Sequence, residues 1–304
     1  MVKPPALQPS SLVGVVAPSS PVRREFMEKG LAELAELGFR TRTGRSIYSR
    51  SRYTAGDAEQ RAADLMELWE DPAVAAIFCA RGGYGSLELL ERLEVSRLRA
   101  RPMIFLGSSD PTALLCLLAA QVGMVSFHGP MVAQQMARGK SAYDSRNLLE
   151  LLGNPHPAGK LSAPQARLLH PGAGEGILLG GCLSLLVALV GTRYLPSFDQ
   201  AIVFLEDTSV KPYQVDRMLL HLRLAGCLDG VRGLVFGEMP GCQQDPSQDY
   251  QLDDVLRDAT AALGVPVLSG FPSGHCLSPA QTLPFGVRAR LDGDGLSLLE
   301  GAVV

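Results

Sequence analysis

One stretch constrains this chain more than any other: Ile104-Phe105-Leu106-Gly107-Ser108-Ser109-Asp110-Pro111-Thr112-Ala113-Leu114-Leu115. Met103 to Leu106 are continuously apolar, as a strand buried on both faces requires. The chain then turns within a few residues and restarts as a helix. Asp110 is suited to cap that helix, and Pro111 to its first position, where a missing N–H costs nothing. A serine in such a turn stands above the sheet edge, beside free amides that can hold an oxyanion. The pattern is close to the G-x-S-x-G elbow of hydrolases but lacks the last glycine. Read alone, the stretch is explained as well by capping, the commonest use of Ser and Asp at this place.

The flanking chain repeats the same unit. Leu12 to Ala17 reads as a buried strand ending in Pro18-Ser19-Ser20-Pro21. Phe26, Leu31, Leu34 and Leu37 fall at helical spacing, and Gly38 stops that helix. Arg40 to Arg52 shows no clear period. A helix is expected over 55–69, a strand over 74–79, then the turn Arg81-Gly82-Gly83-Tyr84-Gly85 and a helix from Ser86 through Leu93. The elbow helix runs to Ala120, and Phe127-His128-Gly129-Pro130 follows a short strand. Strands alternating with helices predict a parallel, doubly wound sheet with its ligand site beyond the strands' carboxyl ends. Residues 154–174, rich in Pro, Gly and Ala, read as a linker. The expected organisation is therefore a first domain over 1–155, a linker over 156–175 and a second domain over 176–304. The second is mixed α/β: a helix over 183–190, a strand to Leu205 ending in Glu206-Asp207, a helix over 213–224, strands over 231–236 and 265–268, a helix between them, and two closing strands.

Composition narrows the chemistry. With 304 residues, 46% of them hydrophobic, the chain can bury a large core. The net charge of −3 and the lack of a basic run argue against a nucleic-acid partner. Six scattered cysteines without a C-x-x-C pair read as reduced thiols of a cytoplasmic protein. The first eleven residues do not form a secretory signal, and the longest apolar run is too short to span a bilayer, so no membrane is expected as a partner. No His, Asp or Glu cluster has metal-ligand spacing, so neither metal nor cofactor is expected.

A nucleophilic serine needs a base, and the base an orienting acid. His156 and His170 fall in the expected linker, and His221 lies mid-helix among leucines. His128 and His275 follow strand ends or glycine turns, where functional side chains gather. Glu206 and Asp207 stand out as a charged pair closing an apolar strand, a pattern equally consistent with a solvated strand end or a cap for the helix at Tyr213.

Six motifs in order resemble one family. They are Arg81-Gly82-Gly83-Tyr84-Gly85; Gly107-Ser108-Ser109-Asp110-Pro111-Thr112; Phe127-His128-Gly129-Pro130-Met131; Gly180-Gly181-Cys182-Leu183-Ser184; Leu205-Glu206-Asp207 with Tyr213 to Leu219; and Gly274-His275 with Thr282-Leu283-Pro284-Phe285-Gly286. From Leu12 to Gly286 the series is similar to the LD-carboxypeptidases, serine peptidases of murein recycling that also include the microcin C immunity proteases. The resemblance implies a flavodoxin-like α/β N-terminal domain and a C-terminal domain around a β-barrel-like sheet. It implies a triad of Ser109, His275 and Glu206, an oxyanion hole from the amides of Gly82 or Gly83 and Asp110, and a homodimer. The expected reaction removes a terminal D-amino acid from the L-diamino acid of a murein tetrapeptide. Arg81 is a candidate for the free carboxylate of that substrate, since a guanidinium matches a carboxylate with two hydrogen bonds. An ion pair at a strand end accounts for Arg81 equally well.

Two positions depart from the family pattern: Ser108 replaces an aromatic residue, and Val210 replaces a glutamate. Two other readings remain open. One is the microcin-immunity reaction on a peptidyl or aminoacyl nucleotide, for which Trp69, the only tryptophan, is poorly placed on a helix. The other is a non-catalytic flavodoxin-like module binding a sugar or nucleotide through the Gly82-Gly83 turn.

Overall fold

A computed structural model describes all residues, 1–304. The first half builds a six-stranded sheet from β1 (Leu12–Val16), β2 (Arg40–Thr43), β3 (Val74–Cys79), β4 (Ile104–Gly107) and β5 (Ser126–His128), with β12 (Leu283–Phe285) at one edge. Their spatial order is β12-β5-β4-β3-β1-β2. The five N-terminal strands are parallel and follow the flavodoxin-like order 2-1-3-4-5. β1, β3 and β4 are almost wholly buried, which is why each reads as an apolar run, and β5, Ser-Phe-His, is buried as well. The helices α1 (Arg24–Glu36), α2 (Ala58–Glu70), α3 (Val95–Ala100), α4 (Thr112–Leu117) and α5 (Ser145–Gly153) belong to this half. Asp57 caps α2 through the Gln60 amide, and Asp144 caps α5 through that of Asn147.

The second sheet has eight strands: β6 (Gly159–Lys160), β7 (Arg167–His170), β8 (Gly174–Cys182), β9 (Ala201–Glu206), β10 (Gly233–Gly237), β11 (Val267–Phe271), β13 (Arg288–Asp292) and β14 (Gly295–Leu298). They are ordered β6-β14-β13-β8-β9-β10-β11-β7. The two outermost strands are consecutive in sequence. A flat sheet of eight strands separates its edges by about 34 Å, whereas the chain from Lys160 to Arg167 reaches at most about 25 Å. The sheet must therefore curl, and the barrel-like form follows from the connection. The helices α6 (Leu183–Ala188), α7 (Pro212–Leu224) and α8 (Leu252–Thr260) complete this half.

The halves are not beads on a string. The segment expected as a linker supplies β6 and β7 to the second sheet. Near the C-terminus β12 crosses back and pairs antiparallel with β5, Leu283 opposite His128. One contiguous apolar cluster holds both Leu106 of the first sheet and Phe204 of the second. The Cys182 amide donates to Thr112 Oγ1 at 3.0 Å, tying the end of β8 to the start of α4. The two sheets thus share an apolar seam crossed by a hydrogen bond. No helix is long and apolar enough to cross a membrane.

Candidate active site

Four strand ends of the first sheet meet the seam: Ser19 after β1, Arg81-Gly82-Gly83 after β3, Ser109 after β4, and His128 closing β5. The elbow is held by Asp110, though not as a cap. The residue flanking α4 is Pro111, with no side-chain cap. The Asp110 carboxylate instead accepts from Ser19 Oγ at 2.5 Å and from the Ser86 amide at 2.8 Å, while its carbonyl accepts from Ser86 Oγ. These bonds are buried, so the turn is pinned to two neighbouring loops at once.

Ser109 has φ = +62°, a left-handed conformation that a residue with a Cβ adopts only when its surroundings impose it. Simple capping does not require that strain. Ser109 is half-buried and its hydroxyl makes no hydrogen bond within the protein, whereas Ser108 is buried. Gly82 packs directly on it: a Cβ at Gly82 would lie 2.8 Å from both Cβ and Oγ of Ser109, and 3.4 Å from the Asp110 nitrogen. The amides of Gly82, Gly83 and Asp110 donate to no protein carbonyl. Unspent donors beside a strained hydroxyl form the kind of nest that holds an oxyanion.

From this contact we predict that Gly82→Ala leaves the fold intact but displaces Ser109. A misplacement of about 1 Å costs on the order of 100-fold in rate. The check is fluorophosphonate labelling of Ser109 alongside thermal melting: slow labelling with an unchanged Tm is expected.

Glu206 ends β9 and is fully buried. Its Oε2 accepts from the His275 amide at 2.9 Å and faces His275 Nδ1 at 2.7 Å. The turn permits this because Gly274 has φ = +73° and a Cβ there would sit 2.6 Å from the Glu206 Cδ. Burial alone would raise the Glu206 carboxyl, but the charge of His275, with His128 and the His275 ring beside the carboxylate, outweighs it and holds the group well below the usual carboxylate range. Burial likewise opposes the charged form of His275, yet the adjoining Glu206 and nearby Asp207 raise its pKa above the ordinary 6.5. With Nδ1 engaged, Nε2 is the free ring nitrogen. Asp207 does cap a helix, but it is α6, through the Ser184 amide at 2.9 Å, rather than the helix at Tyr213.

His128 joins the two halves of the site. It is wholly buried, pairs across the sheet with Gly107, and lies between the rings of Phe204 and Phe285. Its Nδ1 meets Ser273 Oγ at 3.2 Å, and its Nε2 stands 3.8 Å from Glu206 Oε1. The strand carrying Ser109 is thus one pairing away from the Glu206–His275 couple. Sequence reading marked His128 as functional by its strand end, but its place behind Glu206 depends on a pairing between distant segments. Among the other histidines, His221 is exposed on α7 and His170 bonds the Arg257 carbonyl. The Arg81 guanidinium donates to the carbonyls of Gly82 and Pro21 and pairs with no carboxylate, which removes the ion-pair explanation. No group of three His, Cys, Asp or Glu side chains is placed to hold a metal ion.

A strained serine, unspent amides and a histidine–carboxylate couple are the groups a serine hydrolase uses: brought together, such groups activate a hydroxyl for attack on a carbonyl and stabilise the resulting oxyanion. Sequence profiles agree. The LD-carboxypeptidase N-terminal domain matches residues 13–129 and the LD-carboxypeptidase C-terminal domain matches 175–291. A carboxypeptidase-like protein of Streptomyces coelicolor is 39% identical, over 97% of this chain and 94% of its own. The murein tetrapeptide carboxypeptidase of Pseudomonas aeruginosa is 30% identical, over 93% and 94%. In fold, the solved structure of the Escherichia coli microcin C7 self-immunity protein MccF superposes over 100% of both chains with a TM-score of 0.93 at 23% identity. The chain belongs to the LD-carboxypeptidase family, a family of serine peptidases.

Proposed function

We propose that the protein is an LD-carboxypeptidase that hydrolyses the bond between the L-diamino acid and the terminal D-alanine of murein tetrapeptides, with Ser109, His275 and Glu206 as its triad. The observation that carries this reading is the Glu206–His275 bond at 2.7 Å, set one strand pairing from the elbow of Ser109. His275 Nε2 takes the Ser109 proton as the oxygen attacks the carbonyl carbon. Glu206 fixes the tautomer and stabilises the imidazolium that forms. The amides of Asp110 and of Gly82 or Gly83 hold the oxyanion. His275 then returns the proton to the leaving amine, and water, activated by the same imidazole, releases the acyl group. Arg81 offers the leaving residue's carboxylate a guanidinium free of any acid.

Incubation with L-Ala-γ-D-Glu-meso-diaminopimelate-D-Ala is expected to release D-alanine, followed by mass spectrometry. Absence of release by folded protein would overturn the reading. Cleavage of an aminoacyl sulfamoyl-adenosine instead would assign the chemistry to the microcin-immunity branch. Against that branch, Trp69 is buried and donates its indole N–H to the Arg101 carbonyl, so it cannot stack on a base. A cytoplasmic homodimer is part of the same proposal, tested by fractionation and sedimentation.

A further inference from the structure

Beside the elbow lies a cavity of about 270 Å³ lined by Arg23, Arg81, Arg138, Phe26, Val22 and two residues of the 133–134 turn. Three of its walls are guanidinium groups and none is an acid. Some arginines of the chain pair with acids, as Arg42 does with Asp71, Arg61 with Glu88 and Arg97 with Glu70, and others, such as Arg99 and Arg101, are held by carbonyls alone. None of the three here has a carboxylate within 4.0 Å. Each is instead steadied by something that leaves N–H groups unspent. Arg81 is held by the carbonyls of Gly82 and Pro21 at 3.1 Å each. Arg23 lies over the Phe26 ring at 4.3 Å. Arg138 donates Nε to the Gln134 carbonyl at 3.4 Å. Three like charges around one hollow repel one another unless an anion enters.

The cavity is bracketed by both halves of the site. Arg81 immediately precedes Gly82, the residue against which Ser109 packs. On the other side Gln135, close to Arg138 in the chain, donates to the Gly274 carbonyl next to His275. Burial, with Glu238 and Glu206, pushes the Cys276 thiol up to about 12, and the opposing charge that reaches it is Arg138. In a carboxypeptidase substrate the free carboxylate lies one residue beyond the reacting carbon, and Arg81 stands one residue before Gly82, on which Ser109 packs.

We propose that Arg23, Arg81 and Arg138 together form the subsite for the C-terminal carboxylate of the substrate peptide, which restricts the enzyme to removing a terminal residue. The proposal rests on the carboxypeptidase reading and deepens it. Arg23 and Arg138 are exposed at the rim of the hollow and Arg81 is half-buried; guanidiniums with unspent N–H groups favour a carboxylate over the isosteric amide, which carries no charge and accepts fewer of their hydrogen bonds.

The experiment compares the tetrapeptide with its C-terminal D-alaninamide form, using Ser109→Ala protein so that binding is read without turnover. The free acid is expected to bind at least 10-fold more tightly by calorimetry. Arg138→Gln and Arg23→Gln should each erase most of that preference while leaving amide binding unchanged. In otherwise wild-type protein the same substitutions should raise KM for the acid with kcat little altered, and fluorophosphonate labelling of Ser109 should proceed normally. Equal affinity for acid and amide, or undetectable binding of both, overturns the subsite, as does equal weakening of both by the arginine variants. Turnover of the tetrapeptide by wild-type protein decides the carboxypeptidase reading separately. Arg138→Lys adds a control for folding: a point charge should restore part of the preference without the bidentate fit.

Discussion

Ser109→Ala is expected to abolish D-alanine release, lowering kcat by about 10⁴-fold or more, while leaving the melting temperature close to wild type. The magnitude follows from triads acting as a unit: removing the nucleophile removes nearly everything beyond binding and oxyanion stabilisation. The small effect on stability follows from the local structure. The Ser109 hydroxyl makes no hydrogen bond within the protein, and the elbow is held by Asp110 through Ser19 and Ser86. Alanine keeps the Cβ that Gly82 accommodates. A glycine at the same place is a sharper probe of strain. At φ = +62° it relieves the backbone and is expected to match or exceed alanine in stability while being equally inactive. Steady-state release of D-alanine, with melting curves for both variants, checks the pair. Substantial residual activity in Ser109→Ala would remove the nucleophile from the mechanism.

The parts of this molecule that were legible in its sequence are those fixed by short-range patterns. Buried parallel strands are continuous apolar runs, so β1, β3, β4 and β9 read correctly. The second strand did not: Arg-Thr-Arg-Thr lies at the sheet edge, alternating exposed and half-buried, and carries no apolar signal. The helix expected after Gly85 shrinks to a single turn over Ser86–Leu89, and α3 begins only at Val95. The Pro- and Gly-rich segment hides β6 and β7, whose pairing with β14 and β11 is set by distant chain.

The site shows the same division. Gly107, Ser109 and Pro111 announce an elbow locally, but nothing local distinguishes a capping Asp110 from one that pins three loops. Glu206 and His275 are 69 residues apart and meet only because Gly274 opens the turn. It was the order of six motifs, not any spacing, that paired them. His128 was visible only as a strand end; its place behind Glu206 belongs to the seam between sheets.

Glu206→Gln tests that seam most directly and is expected to cost about 10⁴-fold in kcat/KM, the size seen when the orienting acid of a triad is replaced by its amide. The amide group can donate as well as accept, so it no longer dictates which His275 nitrogen carries the proton. Charge is lost as well as orientation. In the wild type, Glu206 and Asp207 raise the His275 pKa above 6.5 despite burial. His275 serves as base only when neutral, so kcat/KM should rise with pH through a limb above 6.5. Without the Glu206 charge, burial dominates and the limb should move to lower pH, even as the plateau falls. The stability signs are opposite for the two partners. The His275 contribution is full below its unfolded value and fades as pH rises through its raised folded value. The Glu206 contribution is present above 4.5, the ordinary carboxyl value, and fades as pH falls toward its depressed folded value. Between those limits the pair is charged on both sides and the seam is tightest. Glu206→Gln should therefore flatten the fall of the melting temperature on both sides of that window, where the wild-type pair loses its charge. A pH–rate profile and melting curves from pH 4 to 9 read both effects. An unshifted acid limb with a lowered plateau would show that Glu206 holds the ring in place without tuning its basicity.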